Sequence, residues 1–195
     1  MNFVTLSLFA IFWLVISYAV ARVIYPKISI QWPKLILHIV TLSALGLVGE
    51  TAIDFTYNLF FQSPLWQYHI YPIHHDFTSL YAIFMWGVAG ANIYFIREIL
   101  RHKKITSIHK QAFIIAIESW IFETVINISF WLLFKEYIFY YLPGEFMHFT
   151  SIQVLPLYWI VSYILLAIFK RFEKDTWFYI VFCMAIGWMM AFVIS

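Results

Sequence analysis

Six long apolar segments constrain this chain more than any other feature of its sequence. A helix that crosses a bilayer needs about 20 mostly apolar residues, and the segments that meet this requirement are 2–24, 33–61, 77–96, 111–134, 150–169 and 177–194. Only 11% of the residues are charged, against about 25% in soluble domains, so most of the surface must face lipid. We therefore predict a single all-α domain over residues 1–195, a polytopic integral membrane protein with six transmembrane helices.

The basic residues predict an orientation for these helices. Eleven of the 12 Lys and Arg residues lie in or beside the first, third or fifth loop, and Lys135 is the exception. Short cytoplasmic loops retain positive charge, so we expect the odd-numbered loops in the cytoplasm and both termini outside. The first segment is long and follows no basic stretch, so we expect a retained helix rather than a signal peptide. The net charge of +2 and the confinement of basic residues to short loops argue against a nucleic-acid partner.

Two stretches of the chain match each other, approximately residues 46–97 and 119–170. Glu50-Thr-Ala-Ile-Asp54 matches Glu123-Thr-Val-Ile-Asn127 at an offset of 73, and Phe77-Thr-Ser79 matches Phe149-Thr-Ser151 at an offset of 72. This pattern predicts a duplicated helical hairpin with an outer loop rich in aromatic residues and proline. Both hairpins point the same way, so an axis along the membrane normal would bring their acidic helices towards one shared cavity.

Carboxyl and amide side chains occur inside the predicted spans. Glu50 and Asp54 are four residues apart and share a helix face. Glu123 and Asn127 repeat that spacing, and Glu118 lies on another part of the same helix. An acidic residue at the bilayer centre costs about 2.5–3.5 kcal/mol, so we expect neutral or hydrogen-bonded acids and name all five residues as catalytic candidates. The alternative is that they only form hydrogen bonds between helices.

The predicted outer loops and their edges add further candidates. We assign proton relay or substrate orientation to His74, His75, Asp76, Glu145 and His148, and substrate binding to Trp66, Tyr68, Tyr81, Trp86 and Gln153. An aromatic belt at the membrane interface is the alternative for the Trp and Tyr residues. A metal ion held by His74, His75 and His148 is a further interpretation, because imidazole and carboxylate ligands suit zinc, iron or manganese. Their spacing matches no metal signature, and no cofactor is otherwise predicted.

The second outer loop carries a resemblance to a known family. It reads Pro143-Gly-Glu-Phe-Met-His-Phe149-Thr-Ser-Ile-Gln153, and it resembles the Pro-x-Glu-[Glu/Asp]-x-x-Phe-Phe motif of the small membrane lycopene cyclases. In that family of duplicated three-helix repeats, an acid- or Asn-bearing helix and a Trp-containing loop precede the motif. Here Glu50 and Trp66 precede Pro72 in the same order. The resemblance implies six helices and cyclisation of an apolar carotenoid.

This chain departs from the family pattern at its acids. Phe146 stands where the motif has its second acid, and His74 and His75 stand at the corresponding positions of the first repeat. The side chains of this sequence also suit such a cyclisation, independently of the resemblance. Proton-initiated cyclisation of an isoprenoid needs a neutral carboxylic acid, aromatic faces beside the carbocation and a dry cavity.

Three functions follow from these features. The first is a membrane-embedded enzyme that acts on an apolar lipid or isoprenoid by acid/base chemistry, as a cyclase or an isomerase does. The second is a small proton-coupled transporter or channel, since intramembrane carboxylates in repeats suit that function equally. The sixth predicted helix has almost no polar residues with which to line a through-path. The third is a non-catalytic assembly subunit of the membrane.

Overall fold

The structure, a computed structural model, describes residues 3–70, 73–74 and 78–194, with the backbone alone for 73–74 and 194. Within these residues the helices are α1 Phe3–Ile24, α2 Trp32–Phe61, α3 Ala82–His102, α4 Ile108–Phe134, α5 Val154–Phe172 and α6 Thr176–Ile194. All six described helices are long and apolar enough to cross a membrane. The predicted number of spans is therefore confirmed, and the chain is a multi-pass membrane protein.

Short strands in the described loops are the main departure from the predicted all-α fold. They are β1 Trp66–Tyr68, β2 Ile73–His74, β3 Thr78–Ser79 and β4 Phe139–Tyr141. β1 pairs with β4 in antiparallel fashion, which connects the second and fourth loops, predicted to be the outer loops, and β2 pairs with β3. The predicted helix starts at 77 and 150 are wrong, because β3 precedes α3 and a turn precedes α5.

The acidic helices α2 and α4 end in the same way. Gln62 and Lys135 follow them with left-handed φ angles of 54° and 59°. Their backbone N–H groups donate to the carbonyls of Asn58 and Trp131, which satisfies one of the free carbonyls at each helix end. Each helix thus ends at a tight turn, after which the chain continues to β1 or β4.

The helices form two packed pairs with a cavity between them. α2 packs against α3 and also against α6, while α4 packs against α5. Gly90 allows α2 and α3 to approach closely, because a Cβ atom there would lie 2.4 Å from the carbonyl oxygen of His38. α1 crosses α3 and reaches α4, where Phe9 meets Phe130 with ring centroids 5.0 Å apart.

The first, third and fifth loops lie at the same end of the bundle. Tyr25, after α1, stacks on His102 at the end of α3 with ring centroids 3.9 Å apart. Arg97 on α3 pairs with Glu173 after α5 at 2.9 Å. The Arg97 guanidinium also reaches the buried His38 ring at 2.6 Å. These contacts join the loops that carry most of the basic residues, as an alternating path of spans requires.

Candidate functional site

A cavity of about 370 Å³ lies between the α2–α3 pair and the α4–α5 pair. Glu50 on α2 and Glu123 on α4 both line it. The walls are mostly aliphatic, and the paired strands β1 and β4 add Trp66, Tyr68 and Tyr141 at the end opposite the basic loops. The structure therefore brings two of the predicted catalytic acids into the same apolar hollow.

Glu50 is buried and has its own hydrogen-bond donors. The indole N–H of Trp86 donates to its Oε2 at 2.8 Å, and the Tyr68 hydroxyl is also hydrogen-bonded to it. Gly46, one turn earlier on α2, makes room for the indole, because a Cβ atom there would lie 2.4 Å from the Trp86 ring. Burial and the facing Glu50 raise the pKa of Tyr68 well above its usual value, so this phenol stays protonated and able to donate.

Glu123 is held by hydroxyl groups. Tyr141 and Thr150 donate to its Oε1 at 2.8 and 3.3 Å, and Tyr158 donates to its Oε2. Burial, followed by the neighbouring Glu123, raises the pKa of Tyr141 well above its usual value. Glu123 is thus surrounded by neutral hydroxyl donors from β4, the outer loop and α5.

The donors to the two glutamates occupy matching positions in the chain. Tyr68 and Tyr141 are 73 residues apart, as the glutamates are, and Trp86 and Tyr158 are 72 residues apart. Tyr141 and Tyr158 were not among the predicted site residues. The same two offsets, applied to Tyr68 and Trp86, would have found both.

Asp54 and Asn127 do not line the cavity but hold the outer loops. The Oδ1 of Asp54 accepts the backbone N–H of Leu65 at 2.6 Å and that of Trp66 at 3.3 Å. The Oδ1 of Asn127 accepts the backbone N–H of Ile138 at 3.2 Å. The Oδ2 of Asp54 is buried without a hydrogen-bond partner among the described residues. Through these hydrogen bonds, each side chain holds the residues at the start of a strand against the preceding helix.

Glu118 lies beside the cavity rather than in its lining. Its Oε1 accepts from the Nδ2 of Asn92 at 2.6 Å, and its Oε2 is buried without a partner among the described residues. Asn92 and Ser119 themselves line the cavity. Asn92 is a third site residue that was not predicted, although it is a polar side chain inside a predicted span.

Glu145 and His148 shape the turn that leads to Thr150. Glu145 accepts from the Ser151 hydroxyl at 2.8 Å, and the His148 Nδ1 lies 2.6 Å from the Tyr141 carbonyl oxygen, to which it donates. Residues 146–148 have positive φ angles of 47–65°, which L-residues rarely adopt. The two side chains therefore stabilise an unusual left-handed turn between β4 and α5.

Tyr81 and Gln153, predicted to bind substrate, connect helices and are not part of the cavity lining. The Tyr81 hydroxyl donates to the carbonyl of Leu6 at 2.8 Å, which ties the start of α3 to α1. The Gln153 Oε1 accepts from the Tyr57 hydroxyl at 2.8 Å, which links α2 to the start of α5. The other three predicted binding residues, Trp66, Tyr68 and Trp86, do line the cavity.

The remaining predicted residues fall in the first outer loop. His75 and Asp76, together with the His74 side chain, lie outside the described residues. Among the side chains that are described, no group of three His, Cys, Asp or Glu is arranged to hold a metal ion. A metal at His74, His75 and His148 stays a prediction.

Comparison with known proteins gives no relative. No family model, no curated protein and no solved structure matches this chain.

Proposed function

We propose that this protein is a membrane-embedded enzyme that acts on an apolar, unsaturated lipid by acid/base chemistry, with isoprenoid cyclisation or isomerisation as the specific reaction. One observation carries the proposal: Glu50 and Glu123, each with its own donors, line the same aromatic and aliphatic cavity. Its volume of about 370 Å³ lies within the range of about 300–1,000 Å³ that is usual for ligand pockets.

The two glutamates have different donors, and this supports different roles. Two carboxylates in a dry cavity repel each other, so one of them is expected to stay neutral. Glu123 accepts from three hydroxyls among the described residues, an arrangement that stabilises a negative charge. Glu50 accepts from one indole and is hydrogen-bonded to one phenol. We assign Glu50 as the proton donor and Glu123 as the acceptor.

The proposed reaction conserves the atoms of the substrate. Glu50 gives its proton to one carbon of a double bond, and the positive charge appears on the other carbon. The rings of Trp66 and Trp86 stabilise that cation through their faces, and a second double bond can attack it to close a ring. Glu123 then removes a proton from an adjacent carbon and a new double bond forms. The product is an isomer of the substrate.

The other predicted catalytic residues are assigned to positioning. Asp54 and Asn127 hold the strands that carry aromatic side chains into the cavity. Glu145 and His148 hold the turn before Thr150, which donates to Glu123. Glu118 lies next to the lining and is assigned no step.

A duplicated hairpin and an outward-facing site belong to the same proposal. The matching offsets of the donors to both glutamates support duplication of 46–97 and 119–170. The basic loops at the opposite end of the bundle support an orientation with both termini outside. The resemblance of the loop at 143–153 to the lycopene cyclase motif fits this reaction class, although Glu145 here bonds to its own loop.

The competing transporter hypothesis has less support from the packing. Leu42, Ile93 and Leu165 pack into one apolar cluster at the end of the cavity nearer the basic loops. Asn92 and Ser162 also line the cavity at this depth, but a through-path for protons or solutes would need polar groups that continue past the cluster. An enzyme, by contrast, benefits from a closed, dry end.

Identifying the bound lipid tests the proposal. The protein is purified in mild detergent, and its lipids are extracted and analysed by mass spectrometry. We expect an unsaturated apolar lipid that is enriched over the membrane from which the protein came. Bulk phospholipid alone, together with proton flux in liposomes that Glu50→Gln abolishes, would favour the transporter instead.

A further inference from the structure

We propose that the cavity opens sideways into the bilayer between α2 and α5, and that the substrate chain enters through this opening from the lipid. Val48 on α2 and Ile164 on α5 both line the cavity, yet their side chains are 37% and 53% exposed. A side chain that faces both a cavity and the outer surface marks the mouth of that cavity. The inference rests on the proposed function only in taking this cavity as the reaction site.

The depth of the mouth determines what can pass through it. Counted from the first residue of each helix, Val48 is residue 17 of 30 in α2 and Ile164 is residue 11 of 19 in α5. Both therefore lie near the middle of a helix that is long and apolar enough to span the membrane. The middle of a span lies in the hydrocarbon core, which is about 30 Å thick. A hydrocarbon chain can reach the mouth there, whereas an ion or a water-soluble substrate cannot.

Side chains from α2 and from the segment of α5 lie together at both edges of the mouth. At the outer edge the Tyr57 hydroxyl on α2 donates to Gln153, just before α5, at 2.8 Å. At the inner edge Leu42 and Leu165 belong to the same buried cluster. α6 packs on another part of α2, where a Cβ atom at Gly187 would lie 3.7 Å from Ala44. These contacts leave the middle of the α2–α5 boundary as the mouth.

Gly49 keeps the mouth wide. It lines the cavity next to Val48, and a Cβ atom added there would meet no atom within 4 Å. Gly46, one turn away, is different, because the ring of Trp86 fills the space beside it. The cavity volume is near the lower end of the usual range for ligand pockets. A long chain would therefore react at the part beside the glutamates while the rest stays in the bilayer.

Photolabelling tests this route without any need for catalysis. The full chain is reconstituted in phosphatidylcholine vesicles that contain a linear hydrocarbon with a diazirine group, irradiated, and mapped by peptide mass spectrometry. We expect label on the cavity residues Leu157 and Tyr158 of the wild-type protein. Gly49→Leu should reduce this label several-fold, because the new side chain occupies the mouth. Ala52→Leu is the matched control: Ala52 is exposed on the same helix but is not part of the lining, so this variant should keep the label.

An enlarged mouth provides the second variant. Ile164→Ala should increase the cavity label, and it keeps the test decisive if Gly49→Leu does not fold. Equal cavity label in Gly49→Leu and Ala52→Leu, an unchanged label in Ile164→Ala, or no cavity label in the wild type would overturn the proposed route. A normal labelling pattern in a protein that converts no lipid would overturn the proposed function and leave the route standing.

Discussion

At the scale of single residues, Asp54 and Asn127 share one role, although the Nδ2 of Asn127 also donates to two backbone carbonyls. Each accepts a backbone N–H, from Leu65 and Ile138 respectively, and so fixes the start of β1 or the residue before β4. An amide in one hairpin replaces a carboxyl in the other. The ability to ionise is therefore not required for this positioning role.

Substitution of Asp54 tests this interpretation. Asp54→Asn keeps the accepting oxygen, so we expect stability and activity close to those of the wild type. Asp54→Ala removes the side-chain acceptor of two backbone N–H groups and should lower the free energy of unfolding by about 1–3 kcal/mol. Chemical unfolding in detergent measures both variants. A folded Asp54→Asn protein without activity would instead assign Asp54 a part in proton transfer.

The buried phenols Tyr68 and Tyr141 give a prediction about alkaline pH. Burial, followed by the facing glutamate, raises the pKa of each well above the usual value, which is about 10 in the unfolded chain. Their contribution to stability is therefore complete below about pH 10 and is lost as the pH rises through the folded-state pKa. We expect the free energy of unfolding to fall above about pH 10, and the fall to be shallower in the Tyr68→Phe/Tyr141→Phe variant. Identical pH dependence in the two proteins would show that these phenols titrate like exposed ones.

At the scale of the elements, α2 carries two glycines with opposite surroundings. A Cβ atom at Gly46 would lie 2.4 Å from the Trp86 ring, whereas one at Gly49 meets nothing within 4 Å. We expect Gly46→Ala to push the indole away from Glu50 and to lower the free energy of unfolding by about 1–3 kcal/mol. Gly49→Ala is the control and should be neutral or slightly stabilising, because alanine favours helix. Tryptophan fluorescence and chemical unfolding measure the two effects, and equal results for both variants would contradict the described packing.

The helices were predictable from the sequence, and the strands were not. An apolar run of about 20 residues in lipid has no alternative to a helix that satisfies its own backbone. β1 and β4 have three residues each, which is too short for an alternating pattern to be visible. Their pairing also depends on how the two hairpins dock, which no local pattern encodes. The same limit explains why the predicted starts of α3 and α5 fell inside the outer loops.

At the scale of the whole molecule, the candidate site was predictable in part. Glu50 and Glu123 were found because a carboxyl group inside an apolar span is costly and because the two segments match each other in sequence. Tyr158 was missed, since a single tyrosine on an apolar helix looks like an ordinary packing residue. Asp54 lies on the same face of α2 as Glu50 but one turn closer to the end of the helix. Its carboxyl group therefore accepts from the backbone at the start of β1 and does not line the cavity.

The orientation of the molecule is a prediction that can be measured directly. Lys104 lies in the third loop and Lys135 directly after α4, so we expect them on opposite sides of the membrane. A membrane-impermeant thiol reagent should label Lys104→Cys from the cytoplasmic side and Lys135→Cys from the outside. The native Cys183 is buried and should give little background. The reverse pattern would contradict the proposed orientation.

The transfer of a proton from Glu50 to an apolar lipid, with its removal by Glu123, is tested most directly by isotope uptake. Membranes from cells that produce the wild-type protein, Glu50→Gln or Glu123→Gln are incubated in heavy water, and all apolar lipids are compared by high-resolution mass spectrometry. Glu98→Gln serves as the matched control, because Glu98 pairs with Arg101 at the far end of the bundle. We expect a lipid that has gained one deuterium in the wild type and the control but not in the two glutamate variants. The same deuterium pattern in all four, with every protein folded, would contradict this proton transfer.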